Sequence, residues 1–294
     1  MKKIFAFSPL TNVYGLARTL LALSTFLTIL FTDSDVLFRP LGNFQHFGYL
    51  KHFLMEINFY SFFFNENIVW AKVISLFILG LVISGWRPRI TGLLHWYISC
   101  SFALSCIIVD GGDHINTILC FILVPITLLD SRKNHWQTYH PVFDKLSEKY
   151  RSITLFAFYT VLKIQVAMIY FQSSTAKFFV KEWANGTAIY YWFYDPSFGA
   201  PDWLLPIIKP LLHYSLITVF ITWSVLVFEL ALCIGPLLSE KNRKYLFFLG
   251  VAFHFSIFII HGLASFSLTM YAALLILLWP HDSPIVFKNL KFNK

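Results

Sequence analysis

The sequence has few charged residues and none of the common catalytic motifs. Only 13% of its 294 residues are Asp, Glu, Lys or Arg, whereas 57% are hydrophobic. The fingerprints of serine hydrolases, zinc peptidases, dinucleotide-binding enzymes and P-loop NTPases (GxSxG, HExxH, GxGxxG and the phosphate-binding loop) are missing. These absences exclude a soluble enzyme of a familiar class.

Metal-binding patterns are also missing. The four cysteines lie in apolar runs, and the sequence has no CxxC pair and no His/Cys spacing typical of zinc. We therefore interpret the cysteines as small buried hydrophobic residues. Asp110, Asp113 and His114 could contribute metal ligands, but no second cluster adds to them. We expect no metal site.

Long apolar runs recur along the whole chain, which is typical of a protein that crosses a membrane many times. We predict an all-α integral membrane protein, a polytopic bundle of about eight transmembrane helices in a single domain, residues 1–294. The N-terminal run contains Arg18 and lacks a cleavage pattern of small residues, so we interpret it as a retained span. The predicted spans are 10–31, 68–84, 90–109, 114–129, 152–176, 211–238, 245–261 and 262–279.

The distribution of basic residues predicts the orientation. With eight spans, 15 of the 23 Lys and Arg residues fall on the side that holds both termini, and six fall on the other side. Because cytoplasmic loops carry the excess of Lys and Arg, both termini are predicted to be cytoplasmic. The net charge of +8 then reflects membrane topology, and we expect no nucleic-acid partner.

Three charged residues lie well inside predicted spans, away from the ends: Arg18, Lys163 and Glu229. An isolated charge at the centre of a membrane helix costs about 2.5 kcal/mol or more. Arg18 and Glu229 have similar predicted depths, so we expect these structural buried charges to form an ion pair. Lys163, predicted near mid-membrane, is the competing partner for the carboxylate.

Lys177 is the main candidate for a functional residue. A lysine at the end of a span commonly extends its ammonium group to the lipid headgroups. Lys181 and Trp183 are better placed for that role, which leaves Lys177 about one turn deeper. A desolvated lysine can act as a base. Both alternatives remain open on the residues alone.

Histidines form the second group of candidates. His114, at the start of the fourth span, is either a residue of the first helical turn or a proton carrier beside Lys177. His254 and His261 are seven residues apart and share one face of the seventh span. Either of them could simply form hydrogen bonds within the bundle.

Several segments resemble a known family, namely GLARTLLAL, DGGDHINTIL, LLDSRKNHW, LKIQVAMIYFQSSTAKFFVKEW, FELALCIG and FHFSIFIIHG. Over nearly its whole length the chain resembles the HTTM family, the membrane domain of vitamin K-dependent gamma-glutamyl carboxylases. The pairing of VDGGDHI with LLDSRKNHW most resembles the sporulation-delaying protein B (SdpB) family within it.

The resemblance to the carboxylases implies a catalytic site. Lys177 takes the place of their catalytic base, and His114 and His254 match two of their histidines. The implied cofactor is a reduced quinone of the menaquinone or vitamin K type. The sequence contains no counterpart of their large lumenal domain, which argues against carboxylation itself.

The resemblance to the SdpB family implies a role in the bacterial cell membrane. Those proteins help to mature a secreted antimicrobial peptide, a bacteriocin, together with a small partner protein. The implied partners are membrane lipid, a secreted peptide precursor and a small SdpA-like protein. We expect carboxylase-like base chemistry on the peptide at the outer face. The alternative is a non-catalytic chaperone or export component.

Overall fold

The computed structural model describes residues 2–5, 7–38, 56–63, 67–137, 139, 146–282 and 285. Of the basic residues that predict the orientation, Arg39, Lys51, Lys145 and the C-terminal lysines 288, 291 and 294 lie outside these ranges.

The described chain is helical, and these ranges contain no β-strand, which confirms the predicted all-α class. Two short 3₁₀ turns lie at Tyr60–Phe63 and Gly235–Leu237. The α-helices are, in order, α1 (Lys2–Phe5), α2 (Asn12–Phe31), α3 (Ser34–Leu37), α4 (Ile68–Ser84), α5 (Pro88–Ser105), α6 (Gly111–Leu128), α7 (Leu146–Lys177), α8 (Lys181–Ala184), α9 (Ala188–Phe193), α10 (Leu205–Leu212), α11 (Ser215–Ile234), α12 (Glu240–His261) and α13 (Ala264–Leu278).

Five helices are long and apolar enough to cross a membrane: α2, α6, α7, α12, and α11 together with its 3₁₀ turn. The helices α4 and α13 are apolar but shorter, with 17 and 15 residues. The 18-residue helix α5 contains Arg89 and His95 and does not reach the same hydropathy. A membrane-spanning bundle is therefore shown, and the count of eight spans stays a prediction.

The boundaries of two helices follow clear local signals. Asn67 caps α4 by accepting a hydrogen bond from the Val69 amide, and α4 ends at Gly85 in the left-handed conformation. Asp110 and Asp113 form a reciprocal capping box at the start of α6, with both hydrogen bonds at 3.1 Å. The N-cap is thus Asp110, four residues before His114, where the fourth span was predicted to begin.

The core of the bundle surrounds α13. Between Met270 and Leu278 nearly every side chain of this helix is buried. It packs against α2, α6, α7 and α12. A helix that is apolar on all sides and enclosed by other helices is stabilised by burial of its whole surface.

Several connecting segments meet at one end of the bundle, which we call the basal end. The His135 amide donates to the Gly85 carbonyl at 3.0 Å, and Arg132 donates to the Leu10 carbonyl at 3.1 Å. Thr11 donates to the His281 carbonyl at 2.9 Å. Leu10 and Thr11 before α2, the turn after α4, residues 130–137 and His281 therefore share one end. That this end faces the cytoplasm stays a prediction.

Residues 178–204, which include α8 and α9, cover the other end, and we call them the roof. Gly186 of the roof, in the left-handed conformation, lies so close to Val219 of α11 that a Cβ atom would be 3.0 Å from that side chain. His261 at the end of α12 lies with Nδ1 2.6 Å from the Phe198 carbonyl oxygen. The roof is thereby fixed to both α11 and α12.

Candidate functional site

A large cavity of about 1750 Å³ lies under the roof and is lined by α6, α7, α11, α12 and the start of α13. Aliphatic and aromatic side chains form most of its wall. Pockets for small-molecule ligands usually measure about 300–1,000 Å³, so this cavity is larger than such a ligand requires. Its few polar groups are therefore the candidates for chemistry.

An ion pair between Lys177 and Glu229 is the central polar feature of the wall. Lys177 is the last residue of α7, and its Nζ lies 2.5 and 2.6 Å from the two carboxylate oxygens of Glu229 on α11. Ser173, one helical turn before Lys177, accepts a hydrogen bond from the ammonium at 2.9 Å and donates one to Glu229 at 3.0 Å. Both charges are thus compensated in an apolar wall.

Small polar residues on α7 allow this pair to form. Ser174 is fully buried, and its hydroxyl donates to the Leu226 carbonyl of α11 at 2.9 Å. A larger side chain at this position would separate the two helices. Glu229, three residues after Leu226, is 6% exposed and faces α7. The close contact at Ser174 therefore brings the carboxylate within reach of Lys177.

Trp183 of α8 lies over Lys177. The chain turns back after Lys177, and the Trp183 ring centroid is 5.1 Å from Nζ. The face of an indole ring attracts a cation, more strongly where water is excluded, and Trp183 is only 7% exposed. This contact, together with the ion pair, holds the lysine in the cavity wall.

Tyr170 and His254 form a second polar pair on the same wall. The Tyr170 hydroxyl lies 3.0 Å from His254 Nε2, and each side chain is 2% exposed. Either the hydroxyl donates to Nε2 or an Nε2–H donates to the hydroxyl, depending on the tautomer of His254. His254 Nδ1 is buried without a hydrogen-bond partner among the described residues. Such a group is rare in native proteins.

The structure brings all three predicted site residues, Lys177, His114 and His254, to this one cavity. His114 is an exposed residue in the first turn of α6, next to Asp110, whose carboxylate accepts a hydrogen bond from Ser265 at 3.2 Å. Within the described part of the chain, no hydrogen bond joins His114 to Lys177 or His254. The catalytic roles of the three residues stay predictions.

The predicted ion pair between Arg18 and Glu229 is wrong. Glu229 is paired with Lys177, whereas Arg18 donates to Thr91 at 3.2 Å and lies 3.1 Å from His135 Nδ1. Burial, together with Arg18 and Arg132, keeps the pKa of His135 well below its usual value. The ring is therefore neutral and can accept a hydrogen bond from the guanidinium. The similar predicted depths of Arg18 on α2 and Glu229 on α11 therefore did not make these two residues partners.

Lys163 does not compete for the Glu229 carboxylate, which Lys177 binds. Lys163 is half-buried, with its ammonium 5.2 Å from the Tyr159 ring centroid. It interacts electrostatically with Arg243 in the first turn of α12 and with Asp282 after α13. The helix α7 has 32 residues and is about 48 Å long, which exceeds a hydrocarbon core of about 30 Å. Lys163 therefore lies near Asp282 of the basal end, and its depth in a membrane stays a prediction.

Sequence reasoning missed the contacts of Ser173 and the pairing of Glu229 with Lys177. The spacing of Ser173 and Lys177, four residues apart on α7, was an available signal, because such residues lie one above the other on a helix. The side chain of Glu229 carried no comparable signal, since the neighbour of α11 depends on the packing of the whole bundle.

Comparison with known proteins gives two full-length relatives, both from Bacillus subtilis (strain 168). The sporulation-delaying protein SdpB is 39% identical over 277 residues, which cover 94% of this chain and 84% of the relative. The uncharacterized protein YitO is 36% identical over 294 residues, which cover 98% of this chain and 92% of the relative. No protein-family model and no solved structure matches the chain. Identity at this level along almost the whole of both chains shows that this protein belongs to the SdpB family.

Proposed function

We propose that this protein acts in the maturation of a secreted antimicrobial peptide, with Lys177 as a base in the cavity under the roof. The membership in the SdpB family supports the biological role, because the relative is named for delaying sporulation. The observation that carries the chemical part is the Lys177–Glu229 pair, which shares one apolar cavity with His114 and His254.

The pair explains how a buried lysine can become a base. As the charged partner of Glu229, Lys177 holds its full set of protons and cannot accept another. Transfer of one proton to the carboxylate, along a contact of 2.5–2.6 Å, leaves a neutral amine and a neutral carboxylic acid. Two neutral groups avoid the cost of desolvating ions. The amine can then take a proton from a bound substrate and become the ammonium again.

The cavity fits the reduced quinone that the carboxylase resemblance implies. Its apolar walls suit an isoprenoid tail, and His254 Nδ1, buried without a partner among the described residues, suits a hydroxyl or oxygen of the ring. His114 is a second residue that would hold the head group. When bound, a quinol supplies two electrons and two protons on oxidation. Lys177 and Glu229 would keep a proton acceptor beside that position.

The orientation and the partner protein belong to the same proposal. If both termini are cytoplasmic, the roof and the cavity lie at the outer face, where a secreted peptide is accessible. A small SdpA-like protein would then act with this chain. The exposed aromatic residues of the roof, Tyr191 and Trp192 among them, suit the headgroup region of a bilayer.

Mass spectrometry of the secreted peptide tests the proposal. Four strains that make the peptide precursor are compared: one with the wild-type protein, one without it, one with Lys177→Arg and one with Lys181→Arg. Arginine keeps the positive charge but cannot give up its proton, so Lys177→Arg should abolish the mature peptide. Lys181→Arg is the matched control, because Lys181 is exposed and does not line the cavity. Full maturation by a normally inserted Lys177→Arg protein would favour the chaperone or export role.

A further inference from the structure

The cavity is open along one side of the bundle. Leu216, Phe220 and Val227 all line the cavity, yet they are 83%, 73% and 63% exposed. They share one face of α11, and they lie within a helix apolar enough to cross a membrane. Because the opening lies beside the span, a molecule can reach the cavity from the lipid.

The opening lies between α11 and α12 and has clear limits. On the basal side the rings of Phe228 and Phe253 join the two helices, with centroids 5.3 Å apart. On the other side the roof contacts α11 at Val219 and α12 at His261. Between these limits two small residues, Ser224 and Ser256, line the cavity, and each donates only to a carbonyl of its own helix.

We propose that this cavity receives an apolar helical segment of the peptide, which enters sideways from the bilayer between α11 and α12. This inference rests on the proposed function and names the form of its substrate. A peptide inside a membrane must satisfy its own backbone hydrogen bonds, so such a segment is a helix.

The dimensions favour a helix over a single lipid chain. The cavity follows α11 from Leu216 to Ala231, which is about 22 Å at 1.5 Å per residue. The opening itself extends from Val219 to Phe228 along α11, about 14 Å, and admits two to three turns of a helix. The cavity holds about 1750 Å³. One isoprenoid or acyl chain would leave most of this space unfilled.

The charges of the cavity indicate the polarity of the segment. Lys177 and Glu229 neutralise each other, so the inner part of the cavity favours an uncharged segment. Asp110 adds a negative charge at the rim beside the roof. The segment should therefore be apolar along its length and carry a basic residue at the end that lies next to the roof.

Photocrosslinking in liposomes tests this inference. The probe is a synthetic peptide of 15 leucine and alanine residues with two lysines at one end, and the photoreactive residue replaces Phe220. The matched control carries it at Phe77 of α4, which is 66% exposed and does not line the cavity. We expect about tenfold more crosslinked peptide from position 220, equivalent to about 1.4 kcal/mol. Equal yields at the two positions would overturn the inference.

Closing the opening gives an independent test. The double variant Ser224→Trp and Ser256→Trp should reduce the crosslinking at position 220 to the level of the control. Ala252→Trp, on an exposed part of α12 outside the cavity, should leave it unchanged. A probe with glutamates in place of the lysines should crosslink less. In the variant Asp110→Asn, which keeps an N-cap residue, the lysine probe and the glutamate probe should differ less in crosslinking. If position 220 crosslinks to lipid or quinone but not to the peptide that is present, the cavity holds a lipid chain and the inference is wrong.

The two proposals can fail separately. Crosslinking reports binding and does not require a base, so Lys177→Arg should keep it. If the Lys177→Arg protein matures the peptide normally and still crosslinks at position 220, the proposed base is wrong and the proposed peptide site stands. If the wild-type protein matures the peptide normally but no peptide crosslinks at position 220, the proposed peptide site is wrong and the proposed base stands.

Discussion

Glu229 on α11 holds both of its carboxylate oxygens within 2.6 Å of Lys177 Nζ at the end of α7. This contact joins two helices that are far apart in the sequence. It also places an acid and a base in one apolar wall, where each depends on the other for charge compensation.

Removal of one partner should therefore cost more than removal of both. Glu229→Gln leaves the Lys177 ammonium without a counter-charge, and we expect a loss of about 3 kcal/mol of stability, at the low end for a buried pair because the lysine side chain is 22% exposed. Adding Lys177→Met should recover part of this loss. Thermal unfolding in detergent measures both variants, and purely additive effects would contradict the pairing.

The neutral state of His135 predicts a dependence of stability on pH. Because the pKa of His135 in the folded protein is well below its usual value, the unfolded chain binds a proton that the folded protein does not. This contribution to stability is present above about pH 6.5 and is lost as the pH falls, by about 1.4 kcal/mol per pH unit. Unfolding measured between pH 5 and pH 8 should show a smaller slope for His135→Gln than for the wild-type protein. An unchanged slope would show that His135 does not titrate in this way.

Substitution by alanine should lower the stability of the protein at Gly85, at the end of α4, but not at Gly80 within α4. Gly85 has a φ of 86°, and a Cβ atom there would lie 2.6 Å from both Asn134 and His135. We expect Gly85→Ala to destabilise the protein by about 2 kcal/mol or more, from backbone strain and steric overlap. Gly80→Ala has open space around the new atom and should be neutral or stabilise by about 0.5–1 kcal/mol. Melting temperatures of the two variants make the comparison.

Cysteine labelling should determine the orientation. We expect a cysteine at Phe179 of the roof, where the native side chain is 91% exposed, to react with an impermeant maleimide on intact cells. A cysteine at the exposed Lys133 of the basal end should react only after permeabilisation. Asn116 would be a poor site, because it is fully buried and donates to the Leu21 carbonyl at 2.9 Å. The reverse pattern would place the roof in the cytoplasm.

The positions of the helices were largely predictable, because apolar runs and turn residues identify them locally. The second predicted span, 68–84, has the bounds of α4. The sixth, 211–238, begins instead at Ser215, since His213 and Tyr214 separate α11 from the proline-containing helix α10. Prolines in the preceding residues were the overlooked signal.

The partners of the buried charges were not predictable in the same way. Depth along a helix can be counted from its end, but the side chain that lies opposite depends on which helices are neighbours. Arg18 illustrates this, because its partner His135 belongs to a polar segment that folds back under the basal end. Nothing in that segment indicates that its histidine becomes buried. Lys177, His114 and His254 could be brought together because a family resemblance supplied tertiary information.

The central position of α13 has a consequence for the order in which the protein assembles. Its 15 residues are about 22 Å long, too short to cross a bilayer of about 30 Å unaided, so it should enter the membrane as a hairpin with α12. The neighbouring helix α2 is synthesised earlier. The Ser24 hydroxyl on α2 can form its hydrogen bonds with the Ser265 carbonyl and with Thr269 only after α13 has been made. The bundle can close only after α13 has been synthesised. A protein truncated before α13 would leave the Ser24 hydroxyl of α2 without these two partners.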